Sequence, residues 1–376
     1  MLRLSRSIVG REEADALARV ILEDGYLGMG GEVQALEQEL AAYLNVPAER
    51  VTCVNSGTAA LHLALAAVLR PGDEVLVQSL TFISTFQAIT AAGGVPIACE
   101  VRPATFTLDV DDARRRLTSR TRVVVPVHYA SNPGDLDAIY AFAKDYGLRV
   151  VEDAAHAFGC TYKSKRLGSF GDIACFSFDG IKNITSGEGG AVVTADPAVG
   201  QMVRDARLLG VEKDTEKRYR HERSWDFDVS RQGWRYHMSN LFAALGRVQL
   251  RRLDTEFAPR RIALARHYRE RLGTLHRLRL LETDLGPVIP HIQPVRILDD
   301  LREGLFDALK VAGIQAGIHY KPNHLLTFYG GGKTSLPTTE QLYRELLSLP
   351  LHPGLESADV DRVCDTVERY LERGRT

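Results

Sequence analysis

The sequence predicts an α/β protein in which an open, mostly parallel sheet occupies about the first 200 residues and a smaller α+β unit follows. Three observations carry this. The runs "RVTCV", "DEVLV", "VPIACE", "TRVVVPVH", "LRVVED", "DIACFSF" and "GAVVTA" recur between turn signals, several of them apolar at nearly every position, as in strands covered on both faces. Helix-like stretches such as "TAALHLALAAVL" and "DLDAIYAFAKDYG" lie between them, the second opening on an acidic cap and ending at Gly147. From Met238 the pattern changes to long helical periodicity in "SNLFAALGRVQLRRLDTEFAPRRIALARHYRERL".

Within that long stretch, Pro259 is expected to kink the helix or start a new one. The segment 210–237, highly charged and weakly periodic, reads as a long loop, and loops of that length are commonly functional. The last 90 or so residues mix short strand-like runs ("HIQPVRIL", "IQAGIHY") with helices. A chain of 376 residues exceeds the comfortable size of one core, so the division expected is a large domain over 1–250, N-terminal helices included, and a small domain over 251–376 joined to it by the long helix. There is no internal repeat and no low-complexity tract.

Composition excludes several function classes. With 47 basic and 48 acidic residues the formal net charge is −1, so no global field draws the chain to nucleic acid or anionic lipid. The first twenty residues have no apolar core of the kind a secretion signal needs, and no segment reaches the roughly 20 apolar residues that span a bilayer. Five scattered cysteines, none in a CxxC pair, suit small buried hydrophobes in a reducing cytoplasm.

The chemistry is expected where strands run out into loops, because open α/β sheets bind ligands at the carboxyl ends of their strands. In "VTCVNSGTAALHLAL" a strand passes through Ser56, Gly57 and Thr58 into a helix, which supplies backbone N–H groups and two hydroxyls to a phosphate, or simply caps the helix. Asp153 ends the apolar strand of "LRVVEDAAHAFG" and suits a proton on a heterocyclic nitrogen, with another helix cap as the alternative. His156, three residues on, orients the acid, stacks on a ligand, or is structural. Phe82 follows "DEVLVQ" and is placed either to cover a planar ring or to fill core. Ser177 ends the strand of "FSFDGIKNITSGEGG", five residues before Lys182. Phosphate anchor, ring plate, carboxylate and lysine are together the parts that pyridoxal phosphate requires.

These residues and their settings resemble the sugar aminotransferases of the DegT/StrS type, fold-type I pyridoxal-phosphate enzymes with a mostly parallel seven-stranded sheet in the large domain. The resemblance runs from "LEDGYLGMGGEVQALEQELAAYLNV" through "NSGTAALHLAL", "VEDAAHAFG", "SFGDIACFSFDGIKNITSGEGG" and "MSNLFAALGRVQL" to "HYKPNH" and "LSLPLHPGL". It implies Lys182 as Schiff-base lysine and acid/base, Asp153 at the pyridine nitrogen, and Ser177, Gly57 and Thr58 on the phosphate. Phe82 and His156 would lie on opposite ring faces. It also implies a homodimer with shared active sites, in which a partner loop reaches the phosphate; where the family often has Asn-aromatic-Arg, this chain has Arg235, Tyr236 and His237.

The implied reaction is amination of a nucleoside-diphosphate 4-keto or 3-keto hexose with L-glutamate as donor, toward a polysaccharide or glycoside. His319, Tyr320, Lys321 and His324 of "GIHYKPNH", with Tyr26, are the candidates for the sugar, the former set otherwise being a solvated loop. A keto-inositol substrate is the nearest alternative. A sugar dehydratase of this family carries histidine where Lys182 stands, and a silent regulatory role fits poorly with an intact lysine, acid and cradle. "GGGKT" is no P-loop, since Thr327 occupies the required glycine's place, and "GYLGMGG" fails the dinucleotide pattern at Val33. The histidines form no HExxH metal motif.

Overall fold

The computed structural model describes residues 1–223 and 225–373; Ser224, in the expected long loop, and residues 374–376, at the end of the expected small domain, lie outside the described residues. Each of the seven apolar runs forms a strand of one sheet. These are β1 (Val51–Val54), β2 (Glu74–Gln78), β3 (Val95–Cys99), β4 (Thr121–Val125), β5 (Arg149–Asp153), β8 (Ile173–Ser177) and β9 (Gly190–Thr194). Between them β6 (Thr161–Tyr162) and β7 (Lys165–Arg166) make a separate two-stranded ribbon. The order across the sheet is β1-β9-β8-β5-β4-β2-β3, parallel except for β9, which runs against both neighbours.

Alternate residues of these strands enter two separate cores, as the two-residue period of a strand requires. Leu76, Val124, Val150, Ala174 and Phe176 face one core, with helices Gly31–Leu44 and Leu136–Tyr146 packed on it. Val75, Val77, Val123, Val125, Val151, Ile173 and Cys175 face the other, covered by helices Gly57–Val68, Ile83–Ala91 and Pro197–Ala206. Double coverage explains why the runs read as continuously apolar. The expected cap chemistry is present on Leu136–Tyr146: Asp135 accepts from the Ala138 N–H, and Gly147 closes the helix at φ 64°.

Helix Asn240–Arg252 continues through a π-helical turn, Leu253–Phe257, into helix Ala258–Leu272. Pro259 therefore sits in the first turn of the second segment, where its missing N–H is least felt. A third core gathers Leu264, Tyr268 and Leu272 with the antiparallel strands β10 (Leu278–Leu280), β11 (Gln293–Ile297) and β12 (Leu346–Leu349) and with helix Ser357–Arg373. Leu2 also belongs to this core, its N–H bonded to the Gly313 carbonyl, so the chain's first residues pack on its last third.

Two sequence expectations differ from the structure. "IQAGIHY" is no strand: Ile314 and Gly317 pair with two different segments, at Leu2 and Ser348, in one bridge each, so no ladder extends, and Gly317 packs closely on Leu4, where an added Cβ would fall 2.6 Å from it. The segment 210–237 is not wholly a loop, since Asp214–Tyr219 is helical. That turn is anchored by the Tyr219 hydroxyl, which bonds both Glu37 and the fully buried Arg207 that pairs with Glu37 at 2.6 Å.

Candidate active site

Strands β1, β2, β4, β5 and β8 run the same way, so their carboxyl ends lie on one edge of the sheet. A cleft of about 360 Å³ opens there, and Ser56, Gly57, Thr58, Phe82, Asp153, His156, Ser177, Lys182, His319 and Tyr320 all line it. Residues spread over 265 positions of sequence are thus brought to one cavity by topology alone.

The cradle comes from the β1 exit. Ser56 caps helix Gly57–Val68 by accepting from the Ala59 N–H at 3.1 Å, so the cap reading and the ligand-facing reading coexist on adjacent residues. Gly57 lies against the end of β8, where an added Cβ would fall 2.7 Å from Cβ of Ser177. Gly190 stands between Val54 and Ser177 in the sheet register, and a Cβ there would meet the Ser56 carbonyl at 2.5 Å. These glycines let the helix start close onto Ser177, leaving Thr58, Ser177 and the first-turn N–H groups at the cleft.

Asp153 is buried at the end of β5. Its Oδ2 accepts a 2.7 Å hydrogen bond from Thr85 Oγ1 and its Oδ1 one of 3.2 Å from the Ala155 N–H. Burial lifts its carboxyl above the ordinary value, while those hydrogen bonds and the Lys182 charge oppose the rise. Lys182 lies in the turn after β8, its N–H bonded to the Asp179 carbonyl. Desolvation pushes its amine down to about 8, against the pull of Asp179 and Asp153 and helped by the positive Arg261.

His156 is buried and held neutral, first by desolvation and then by the Lys182 charge. Its Nε2 lies 3.0 Å from the Tyr320 hydroxyl, and its Nδ1 has no hydrogen-bond partner among the described residues. Phe82 remains 52% exposed, an apolar plate at the cleft with its ring centroid 5.4 Å from that of Tyr320. His319, pushed down to about 4 by burial, bonds Ser348 Oγ through Nδ1 at 2.8 Å, and its carbonyl accepts from Tyr129.

Four expected residues are not brought to this cleft. The Tyr26 ring stacks instead on His221 at 4.4 Å. Arg235 is exposed, in a segment bridged to Leu208. Lys321 is exposed and is not among the residues that line the cleft. His324 is buried on the other side of its turn, with Nδ1 2.7 Å from Ser79 Oγ and Nε2 3.3 Å from Glu340, so its ring serves the packing of that turn.

The structure adds residues that the sequence reading passed over. Thr85 sits three residues after Phe82, the spacing that puts both on one face of the first helical turn, and that was its available signal. Asp179 and Glu188 also line the cleft, from within the quoted lysine loop. The His291 ring lies tilted against that of His156, centroids 4.4 Å apart, and Asn183 donates to the carbonyls of His156, Phe158 and Ile289. Nothing local in the sequence marks these two.

The site fits a phosphorylated pyridine aldehyde on its own geometry: a buried acid in an apolar strand, an unpartnered imidazole nitrogen, a glycine-tight helix start and one amine of lowered proton affinity share a cavity. Comparison with known proteins agrees. A 4-aminotransferase of Saccharopolyspora spinosa, acting on dTDP-4-dehydro-2,3,6-trideoxy-D-glucose, is 34% identical over 99% of this chain and 97% of its own. The crystal structure of the aminotransferase TlmJ from Streptoalloteichus hindustanus superposes with a TM-score of 0.92 at 32% identity, covering all of both chains. The sugar aminotransferase Spr1654 of Streptococcus pneumoniae, described as putative and solved in PLP and PMP forms, matches at 27% identity with a TM-score of 0.90 over 100% of both chains for the PLP form. The profile of the DegT/DnrJ/EryC1/StrS aminotransferase family spans residues 9–368, and the chain belongs to that family of pyridoxal-phosphate enzymes.

Proposed function

We propose that this enzyme transfers an amino group from L-glutamate to a nucleoside-diphosphate keto-hexose at C3 or C4, and that Lys182 is the residue through which the transfer runs. The observation that carries the reading is the convergence of Lys182, Asp153 and the Ser56–Thr58 cradle on one cleft. The 34% identity to a dTDP-keto-sugar 4-aminotransferase over nearly the whole chain supports the substrate class.

When bound, pyridoxal phosphate supplies an electron sink that lets an amino group leave one carbon and enter another. The chain's residues do the rest. Thr58, Ser177 and the N–H groups at the helix start would hold the phosphate. Asp153 would keep a proton on the ring nitrogen, and Phe82 would lie against the ring. His156, neutral, would offer its Nδ1, which has no partner among the described residues. The Lys182 amine would tether the cofactor and, when free, would move a proton from the donor's α-carbon to the cofactor carbon that receives the amino group, a task suited to an amine near 8.

Charge at the cleft supports a homodimer with shared sites. This chain lines it with Asp153, Asp179 and Glu188 but with Lys182 as its one lysine and no arginine among the described residues. A sugar diphosphate and a dicarboxylate donor need more cations than that. We assign them to the partner subunit, with the exposed Arg235 loop and the Tyr26 loop as the contributing segments. His319 and Tyr320 then face the sugar from the same chain. We place the enzyme in the cytoplasm; no helix among the described residues is long and apolar enough to cross a membrane.

The test incubates purified enzyme with glutamate and a panel of nucleotide keto-sugars, with a keto-inositol alongside, and locates the new amine by NMR. Amination of a nucleotide sugar is expected, abolished in Lys182→Ala together with the cofactor's visible absorbance. Turnover of keto-inositol alone would overturn the substrate assignment, and a fully active Lys182→Ala would overturn the assignment of the lysine.

A further inference from the structure

Arg261 is a buried cation without an acid. It is 2% exposed, and no carboxylate lies within ion-pair distance of it among the described residues. Its guanidinium is surrounded instead by backbone carbonyls: Nη1 donates to His291 at 3.1 Å, with Pro290 at 3.4 Å and Leu351 at 3.5 Å, and Nη2 reaches the carbonyl of Lys182 at 3.5 Å. Its Nε has no partner among the described residues.

Such an arrangement is poor economy for stability alone. A buried charge held only by neutral dipoles carries a desolvation penalty that an apolar side chain of similar volume would avoid. Arg261 lies just past the π-helical join, inside a continuous helical run, so its own helix offers no C-terminal end there to compensate the charge. Burial alone brings its own proton affinity down to about 10.

The four carbonyls come from three segments, one of which carries Lys182 at the cleft and another His291 against the cleft's His156. Lys182 is in the loop after β8. Pro290 and His291 lead into β11, and the His291 ring lies tilted against His156. Leu351 follows β12 in the third core. Asn183, next to Lys182, ties the same loop to the carbonyls of His156 and Ile289 from its other side.

We propose that Arg261 is a positioning residue for Lys182: its guanidinium fixes the lysine's backbone against the His291 and Leu351 segments and places an uncompensated positive charge behind the reactive amine. The assignment rests on Lys182 being the reactive lysine. Around that amine are Asp153, Asp179, Glu188 and Tyr320 of the cleft, the neutral His156, His291 and His319, and Arg261. Among these groups of the described residues Arg261 supplies the permanent positive charge, so it opposes the two aspartates that stabilise the ammonium.

The experiment compares wild type, Arg261→Met and Arg261→Lys as apoprotein and as holoenzyme. Reductive methylation with ¹³C-formaldehyde and ¹³C NMR reads the titration of the Lys182 amine in the apoprotein, the resonance being assigned by its absence in Lys182→Ala. In Arg261→Met the amine is expected to titrate about one pH unit higher than in wild type, and in Arg261→Lys to return to the wild-type value. Arg261→Lys keeps the charge but loses the fork, so its holoenzyme is expected to lose about tenfold in kcat with KM for the amine donor unchanged. A folded Arg261→Met protein whose Lys182 titrates as in wild type would overturn the proposal. Should Arg261→Met fail to fold, Arg261→Lys decides: wild-type kcat in that variant overturns the proposal, and the kcat-selective loss supports it. The apoprotein titration does not involve the cofactor, so a negative result there is distinct from failure of the cofactor assignment, which absorbance reports.

Discussion

Thr85 Oγ1 donates a 2.7 Å hydrogen bond to Oδ2 of Asp153, joining the first turn of helix Ile83–Ala91 to the end of β5 beneath the cleft. A hydrogen bond to a charged group contributes about 1.5–3 kcal/mol. Thr85→Val keeps the side chain's shape and removes the donor, and is expected to lower kcat/KM about tenfold or more, whereas Thr85→Ser retains most activity. Asp153 is raised above its free value in the fold, so across that window the folded apoprotein holds more protons than the unfolded chain and loses stability as pH rises. Losing Thr85 enlarges that loss. Thermal melts of the apoprotein should therefore show Thr85→Val trailing wild type at neutral pH by more than at acidic pH.

Lys182 gives the opposite sign. Its folded value of about 8 lies below the free value of 10.5, so between the two the unfolded chain binds more protons and stability rises with pH. Lys182→Met removes the burden of a buried ammonium. The apo variant is expected to melt above wild type at neutral pH, the gap narrowing as pH climbs past the folded value, while transamination is lost. Differential scanning calorimetry across that range checks it.

The cradle makes a geometric prediction. Gly57→Ala would drive a Cβ to 2.7 Å from Ser177 Cβ, so the helix start must move off the end of β8. Cofactor affinity is expected to fall by about tenfold or more with far-ultraviolet circular dichroism unchanged. Ser177→Gly in the Gly57→Ala background removes the atom that is struck. Equilibrium dialysis should show part of the affinity restored, in spite of the lost hydroxyl.

Tyr320 joins the two sides of the cleft through His156 Nε2 at 3.0 Å and through its ring beside Phe82. Tyr320→Phe keeps the packing and removes one neutral hydrogen bond, of about 1 kcal/mol. Activity is expected to fall by less than about tenfold, whereas Tyr320→Ala, which also uncovers Phe82, falls further. Steady-state kinetics with the sugar substrate separate the two.

What the sequence made legible follows from what each signal depends on. β4, β5 and β8 were visible because strands covered on both faces must be apolar at nearly every position. That β9 runs against its neighbours left no mark, since a buried antiparallel strand has the same composition. Lys182, Asp153 and Ser56–Thr58 were legible because strand ends meet at one sheet edge whatever the details of packing. His324 and Tyr26 have the chemistry of ligand-binding residues, but a one-dimensional pattern carries no side-chain direction, and their rings turn to Glu340 and His221 instead. Arg261 and Asn183 were invisible because their partners are backbone carbonyls, which every residue possesses.

The most direct measurement is the site of covalent attachment. The purified protein is incubated with pyridoxal phosphate, reduced with borohydride, digested and mapped by mass spectrometry. The phosphopyridoxyl mass is expected on Lys182 alone, at one per chain, and to disappear in Lys182→Arg. Label on another lysine, or none in a protein that still transaminates, would contradict the account.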